Sequence, residues 1–214
     1  MKIAIIGTGN VGGTLAKKWG KVGHTLLLGM RDPNSTEAQA LTKSIGLHAS
    51  AHTPREAASQ AEVILIALPW NSTREVIETL GDLSGKILID CTNPLKKNLE
   101  GLEVGLNHSG GELVQEWATG AKVYKAFNTV GFNIMENPVL EGRRALMFFC
   151  GNDNTSREVV RRLIEEVGFE ALDVGDLCTS RLLEPWALLW IRSAYIHGLG
   201  REFAFGILKR AYSS

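Results

Sequence analysis

Three glycines near the N-terminus, Gly7, Gly9 and Gly12, carry G-x-G-x-x-G spacing straight after the apolar run from Lys2 to Ile6. Such a segment acts through its backbone. Gly7 lets the chain turn sharply off a strand. Gly9 has no side chain, so a pyrophosphate can approach the main chain. Gly12 lets the following helix pack close to the strand. The N–H groups of that helix's first turn have no partner within the helix, and its dipole favours an anion there. Residues Gly7, Thr8, Gly9, Asn10, Val11 and Gly12 therefore form a candidate dinucleotide loop.

The second strand, His24 to Gly29, is expected to select the nucleotide. An NAD site usually carries Asp or Glu at this strand's end, about 20 residues past the glycines, to bind the ribose 2′-hydroxyl. Here Gly29 and Met30 lead into Arg31 and Asp32. A guanidinium at that place suits a 2′-phosphate, which it can meet with a forked, charge-assisted pair. Arg31 thus predicts NADP rather than NAD. Asp32 offers the competing chemistry, a carboxylate for the ribose hydroxyl.

The other strand ends are neutral. They carry Leu68, Pro69, Trp70 and Asn71, then Cys91, Thr92, Asn93 and Pro94, then Asn128 and Thr129 before Val130-Gly131-Phe132. No Ser-His-Asp set, carboxylate pair or metal-ligand spacing stands among them. Reduction of a carbonyl usually calls for a positioned proton donor. Reduction of an electron-poor heterocycle needs mainly face-to-face placement, so this pattern favours a ring-shaped acceptor. Cys91 reads as a buried small hydrophobe and His197 as a packing or solvated residue. Trp186, Trp190 and Tyr195 read as core or subunit interface.

These residues need a parallel sheet to bring them together, and the patterning supplies one. Helices are expected over Val11–Gly20, Ser35–Ile45, Thr53–Gln60, from Asn71 or Ser72 to Leu80, and over Ser156–Val167. Strands are expected around Leu47–Ser50 and over Val63–Leu68, Lys86–Asp90, Lys122–Phe127, Ala145–Cys150 and Phe169–Val174. The run Val63–Leu68 is apolar throughout, as in a strand buried on both faces. Alternating strands and helices imply an α/β fold, a Rossmann-type, doubly wound, mostly parallel sheet. A helical C-terminal segment follows, which divides the chain into 1–175 and 176–214.

Composition fits this class. The chain has 214 residues, 44% hydrophobic, with zero formal net charge and three cysteines. That size and apolar content suit one large domain with a sizeable core. Neutral charge gives no reason to expect a nucleic-acid partner. The most apolar later run, Leu182 to Ile191, is too short to span a bilayer and contains Glu184 and Pro185, so no membrane partner is expected. Scattered cysteines fit a cytoplasmic setting. The apolar residues near Phe203-Ala204-Phe205, read as the end of the last helix, predict a homodimer.

Several motifs together resemble a known family. Lys2 to Gly13, Leu68-Pro69-Trp70, Cys150-Gly151-Asn152-Asp153, Asp173-Val174-Gly175-Asp176-Leu177, Ser180-Arg181-Leu182-Leu183-Glu184 and Gly198-Leu199-Gly200-Arg201-Glu202 resemble the NADP oxidoreductases dependent on coenzyme F-420, an 8-hydroxy-5-deazaflavin. Lys125-Ala126-Phe127-Asn128-Thr129 is more similar to the cytosolic domain of the six-transmembrane metalloreductases. The resemblance implies NADP across Gly7 to Gly12, with Thr8 and Arg31 at the 2′-phosphate. It implies Leu68 and Pro69 along the path to the nicotinamide, with Asn128 and Thr129 on its far side; Asn93 and Pro94 belong to the same expected site. Hydride would pass between nicotinamide and a stacked deazaflavin or flavin, a small-molecule redox acceptor. The sequence departs at Asp32, where the family often has a second basic residue, and at Asn128, where archaeal members tend to carry His. Two alternatives stand beside this reading: an imine reductase of the pyrroline-carboxylate reductase type, and an NADP-binding sensor without turnover.

Overall fold

The computed structural model describes residues 1–208 and 210. β1 (Lys2–Ile6) leads into α1 (Asn10–Lys21), and β2 (Thr25–Gly29), α2 (Thr36–Ile45) and β3 (Ala49–His52) follow. Then come α3 (Pro54–Gln60), β4 (Val63–Ile66), α4 (Trp70–Thr79), β5 (Ile87–Asp90), α5 (Gly110–Trp117) and β6 (Lys122–Lys125). α6 (Phe132–Glu136), the short hairpin β7 (Val139–Leu140) and β8 (Arg143–Arg144), β9 (Leu146–Gly151), α7 (Arg157–Val167) and β10 (Glu170–Asp173) continue the chain. A single 3₁₀ turn, Leu177–Thr179, precedes α8 (Ser180–Tyr195).

The main sheet has the strand order β10-β9-β6-β5-β4-β1-β2-β3. Its pairings are parallel except β6 with β9, which meet antiparallel at Tyr124–Gly151 and Lys125–Cys150. The stretch β3-β2-β1-β4-β5-β6 has the doubly wound order of a dinucleotide-binding sheet, with its topological switch between β1 and β4. This is the expected fold class.

Apolar strands form here because both faces are covered. Ile3 and Ile5 of β1 enter one core with Leu15, Trp19, Leu26 and Leu65. Ala4 and Ile6 face the other way, into a second core with Ile64, Ile66, Leu88, Leu177 and Leu183. Alternate residues of a strand point to opposite faces, so a run without polar interruption feeds two layers of helices. α7 buries Val160, Leu163, Ile164 and Val167, a one-sided stripe at helical spacing, and ends at Gly168 with φ +115°. At α3, Thr53 and Glu56 cap one another's backbone N–H groups, and Pro54 begins the helix.

Four expectations need correction. The helix after β4 starts at Trp70, with Pro69 at its cap position and no side-chain cap. Ser72 and Thr73 instead donate their hydroxyls back to the Pro69 carbonyl, so neither Asn71 nor Ser72 caps the helix as expected. β3 lies two residues later than expected, because its register pairs Leu26 with Ala49 and leaves Leu47 fully in solvent. The C-terminal segment is helical only to Tyr195, and residues 196–208 run without regular structure. Phe203 and Phe205 therefore do not end a helix. They pack against Trp190 (ring centroids 5.2 Å apart) and Trp186 (5.1 Å) of the same chain, which half-buries them.

Candidate nucleotide and hydride-transfer site

The glycine loop sits at the switch point. Ala67 N–H donates to the Ile6 carbonyl, which holds the ends of β1 and β4 side by side. Gly7 adopts φ +95°, and a Cβ there would lie 2.3 Å from the Ala67 oxygen. A Cβ on Gly12 would lie 1.9 Å from the Gly7 oxygen, so only glycine lets α1 approach the loop this closely. Gly9 is the opposite case: a Cβ there would meet nothing within 4 Å. One face of the loop is thus open beside Gly9, and Gly9 and Asn10 are exposed. α1 has no side-chain cap and no acidic residue in its first turn. Its first intrahelical bond runs from Gly13 N–H to the Gly9 carbonyl. The N–H groups of Asn10, Val11 and Gly12 precede that bond and remain available to an anion.

Arg31 is exposed just past the end of β2. Asp32, also exposed, is drawn into the turn before α2. Its Oδ1 accepts from Asn34 N–H (3.0 Å), and its carbonyl accepts from the Ser35 hydroxyl (2.8 Å). Ser35 in turn caps α2. The acidic residue thus has a local structural partner, while the guanidinium beside it reaches solvent.

On the other side of the switch point, Leu68 is half-buried and touches the loop at Gly7. Pro69 is exposed, and Pro94 is buried. Asn93 and Asn128 lie at the ends of β5 and β6 and bond to each other. Asn128 Nδ2 donates to Asn93 Oδ1 (3.1 Å), and Asn93 Nδ2 donates to the Asn128 carbonyl (3.0 Å). Thr129 is 2% exposed, and its hydroxyl lies 3.8 Å from the Met147 sulfur. Phe127 has φ +60°, a backbone state few non-glycine residues adopt, at a cost of order 1–3 kcal/mol. Edge-on packing against Trp19 and Phe169 holds it there.

Close to this wall lies a buried charge cluster, which joins Lys125 and Glu184, members of two separate sequence motifs, to Asp90. Lys125 Nζ lies 2.7 Å from Asp90 Oδ2, 2.8 Å from Glu184 Oε1 and 2.8 Å from the Thr92 carbonyl. All three charged side chains are within 1% of complete burial. Burial pulls the Lys125 ammonium down, but the adjacent Asp90 and Glu184 charges outweigh it and hold the group well above its usual value. Asp90 Oδ1 also accepts from Thr92 N–H, and Glu184 accepts from the N–H groups of Gly110 and Gly111 at the start of α5. The available signals are a Lys and an Asp closing apolar strands, and a Glu inside the apolar run of α8. Nearer the surface, Arg181 grips Glu112 with two hydrogen bonds and holds that carboxyl down to about 2.

Cys91 is buried, and its thiol is pushed well up by burial, as expected of an inert packing residue. Trp190 is buried and donates its indole N–H to the Phe203 carbonyl. Trp186 and Tyr195 are partly exposed, and His197 lies exposed beyond α8. Among the described residues, no group of three His, Cys, Asp or Glu could hold a metal ion, and no helix is long and apolar enough to cross a membrane.

Comparison with known proteins gives this geometry a family. Residues 2–94 match the profile of the coenzyme F420-dependent NADP oxidoreductases. Metalloreductase STEAP3 of Rattus norvegicus is 27% identical over 183 residues, which is 86% of this chain and 36% of that protein. The chain thus spans about a third of the length of the curated relatives it matches. Among solved structures, hypothetical protein SMa0349 of Sinorhizobium meliloti is 26% identical with a TM-score of 0.76, covering 86% of this chain and 90% of that one. A reductive aminase of Aspergillus terreus, 18% identical with a TM-score of 0.66 over 91% of this chain and 60% of its own, shares the fold. A protein of Arthrobacter sp. FB24 assigned as an F420-dependent NADP-reductase is 30% identical with a TM-score of 0.87, over 98% of this chain and 100% of that one. A likeness that runs the full length of that protein carries the whole fold as well as the glycine loop, and this chain belongs to the coenzyme F420-dependent NADP oxidoreductase family.

Proposed function

We propose that this protein binds NADP(H) across the Gly7–Gly12 loop and passes a hydride between the nicotinamide and a deazaflavin or flavin-like ring. The observation that carries the nucleotide half is the loop itself. It has an open face at Gly9, uncapped N–H groups on α1 and a position at the sheet's switch point. These features fit a pyrophosphate, and Arg31 beyond β2 fits a 2′-phosphate. NADP supplies the hydride donor or acceptor at its nicotinamide ring when bound.

The protein's own part is placement. The first-turn N–H groups of α1 fix the phosphates. Leu68 and Pro69 border the path from the loop towards β5 and β6, and the bonded pair Asn93–Asn128 forms a neutral wall there. Lys125 is sealed under that wall between two carboxylates, so its ammonium does not face a substrate as a proton donor. A neutral wall suits a ring that takes a hydride without needing a positioned acid.

The test is a panel of acceptors offered with NADPH to the purified protein: coenzyme F-420, FMN, FAD, a ferric chelate and a cyclic imine. Fastest oxidation of NADPH with the deazaflavin is expected. Turnover confined to imines, or tight NADPH binding with no oxidation by any acceptor, would overturn the proposal.

A further inference from the structure

The segment from Ser180 to Glu184 opens α8, and three of its polar side chains bond the start of α5. The Ser180 hydroxyl lies 2.8 Å from the Ser109 hydroxyl, and Arg181 grips Glu112. Glu184 accepts from the N–H groups of Gly110 and Gly111, each at 2.9 Å. Of the three, Glu184 also reaches Lys125 Nζ, at 2.8 Å. From there a chain of bonds runs along the strand ends and returns to α8. Lys125 Nζ donates to the Thr92 carbonyl, next to Asn93. Asn93 Nδ2 donates to the Asn128 carbonyl, and Asn128 Nδ2 donates to the carbonyl of Leu183, the residue before Glu184. The circuit joins β5, β6 and α8 and closes on itself. A buried ion cluster can often be replaced by apolar residues without loss of stability. Packing alone therefore does not call for Lys125, Asp90 and Glu184 as charges. Charge-assisted bonds add fixed geometry, which apolar contacts leave loose.

The strand ends tied by this circuit, at Asn93 and Asn128, are the ones that the proposed function sets beside the hydride-transfer site. We infer that Glu184 is a positioning residue for hydride transfer, holding the ends of β5 and β6 in one register from behind. It touches neither nucleotide nor acceptor and acts through Lys125 and the Thr92 carbonyl. The C-terminal helix is thereby part of the reacting unit, although the nucleotide loop lies on the other side of the sheet's switch point. A misplacement of about 1 Å can slow a reaction by about 100-fold. Loss of the Glu184 charge should therefore appear in the transfer step and leave phosphate binding alone. This inference rests on the hydride-transfer reading above.

The test compares two variants of the intact protein. Glu184→Gln keeps the shape and removes the charge. Arg181→Gln removes an ion pair of the same helix that lies outside the circuit. Urea unfolding establishes that each is folded. Calorimetric titration with adenosine 2′,5′-bisphosphate, which has no nicotinamide, should give the affinity of the unaltered protein in both. Single-turnover oxidation of NADPH by the fastest acceptor of the panel should slow by about 10- to 100-fold in Glu184→Gln only. The fluorescence gain of bound NADPH, which needs no acceptor, should fall in that variant alone. Glu184→Asp, whose carboxylate stands one methylene further from Lys125, replaces the glutamine variant if that does not fold, with the same outcome expected. A folded Glu184 variant with unchanged transfer and fluorescence would overturn the inference, as would equal slowing in Arg181→Gln, while leaving the nucleotide and hydride readings standing. An unaltered protein that binds neither ligand, or oxidises NADPH with no acceptor, would overturn the functional reading, and this inference with it.

Discussion

At the scale of single residues, the adjacent Arg31 and Asp32 make opposite offers to a ribose, and the structure separates them. Asp32 spends its carboxylate and carbonyl on the turn that starts α2. Arg31 stays exposed beyond β2. Arg31→Ala should therefore weaken NADPH binding far more than NADH binding. The expected loss is of order 1.5–3 kcal/mol per charge-assisted bond removed. Dissociation constants for both nucleotides check it, and equal losses would show that Arg31 does not read the phosphate. Gly7, Gly9 and Gly12 were legible as a loop from spacing alone, and the structure gives Gly7 a positive φ, Gly12 a close approach to the Gly7 carbonyl and Gly9 an open face. The Asn93–Asn128 pair was not legible. Two amides 35 positions apart carry no local signal, and only adjacent parallel strands bring them together.

At the scale of elements, helices and strands with strong periodicity or caps lie close to where the sequence puts them. α7 has its apolar stripe, and α3 its Thr53–Glu56 box. α5 and α6 were not anticipated. They are short, and α5 depends on a contact distant in sequence: Glu184 of α8 accepts from its first N–H groups. Gly110 and Gly111 allow that approach, since a Cβ on Gly111 would lie 2.8 Å from the Ser180 hydroxyl. Lys125 binds these elements into one unit with β5 and β6. Lys125→Met would leave two buried carboxylates uncompensated and should cost about 3–5 kcal/mol of stability. Adding Asp90→Asn and Glu184→Gln should restore part of it. Urea unfolding measures both, and a loss below about 1 kcal/mol in the single variant would refute this role.

At the scale of the whole molecule, α8 is built into the sheet's second core through Leu183. The aromatic residues of 203–205 fold back onto Trp186 and Trp190. The Phe203–Phe205 stretch thus has partners within the chain while staying half-buried, and a second apolar surface lies on α8 itself. Leu182, Trp186 and Leu189 lie along one face of α8, and the two leucines are 69% and 54% exposed. Ile196 and Leu199, just past the end of α8, are exposed as well. An apolar strip of this kind marks an association surface, and we propose a homodimer formed on it. Light scattering after gel filtration should give twice the chain mass, and Leu189→Asp should shift the protein to monomer. A monomer for the unaltered chain would refute the proposal.

The sequence by itself determined the parallel sheet, the glycine loop and the basic residue past β2, because each rests on neighbours a few positions apart. Spacing sets backbone turns, apolar runs mark strands buried on both faces, and caps mark helix starts. Only the tertiary structure decided that Asp32 belongs to its own turn, that Lys125 lies sealed between Asp90 and Glu184, and that Asn93 and Asn128 bond across the ends of β5 and β6. Those outcomes depend on which distant groups meet out of water, where an unpaired charge or amide is costly and its partner is chosen by the packing of the whole sheet.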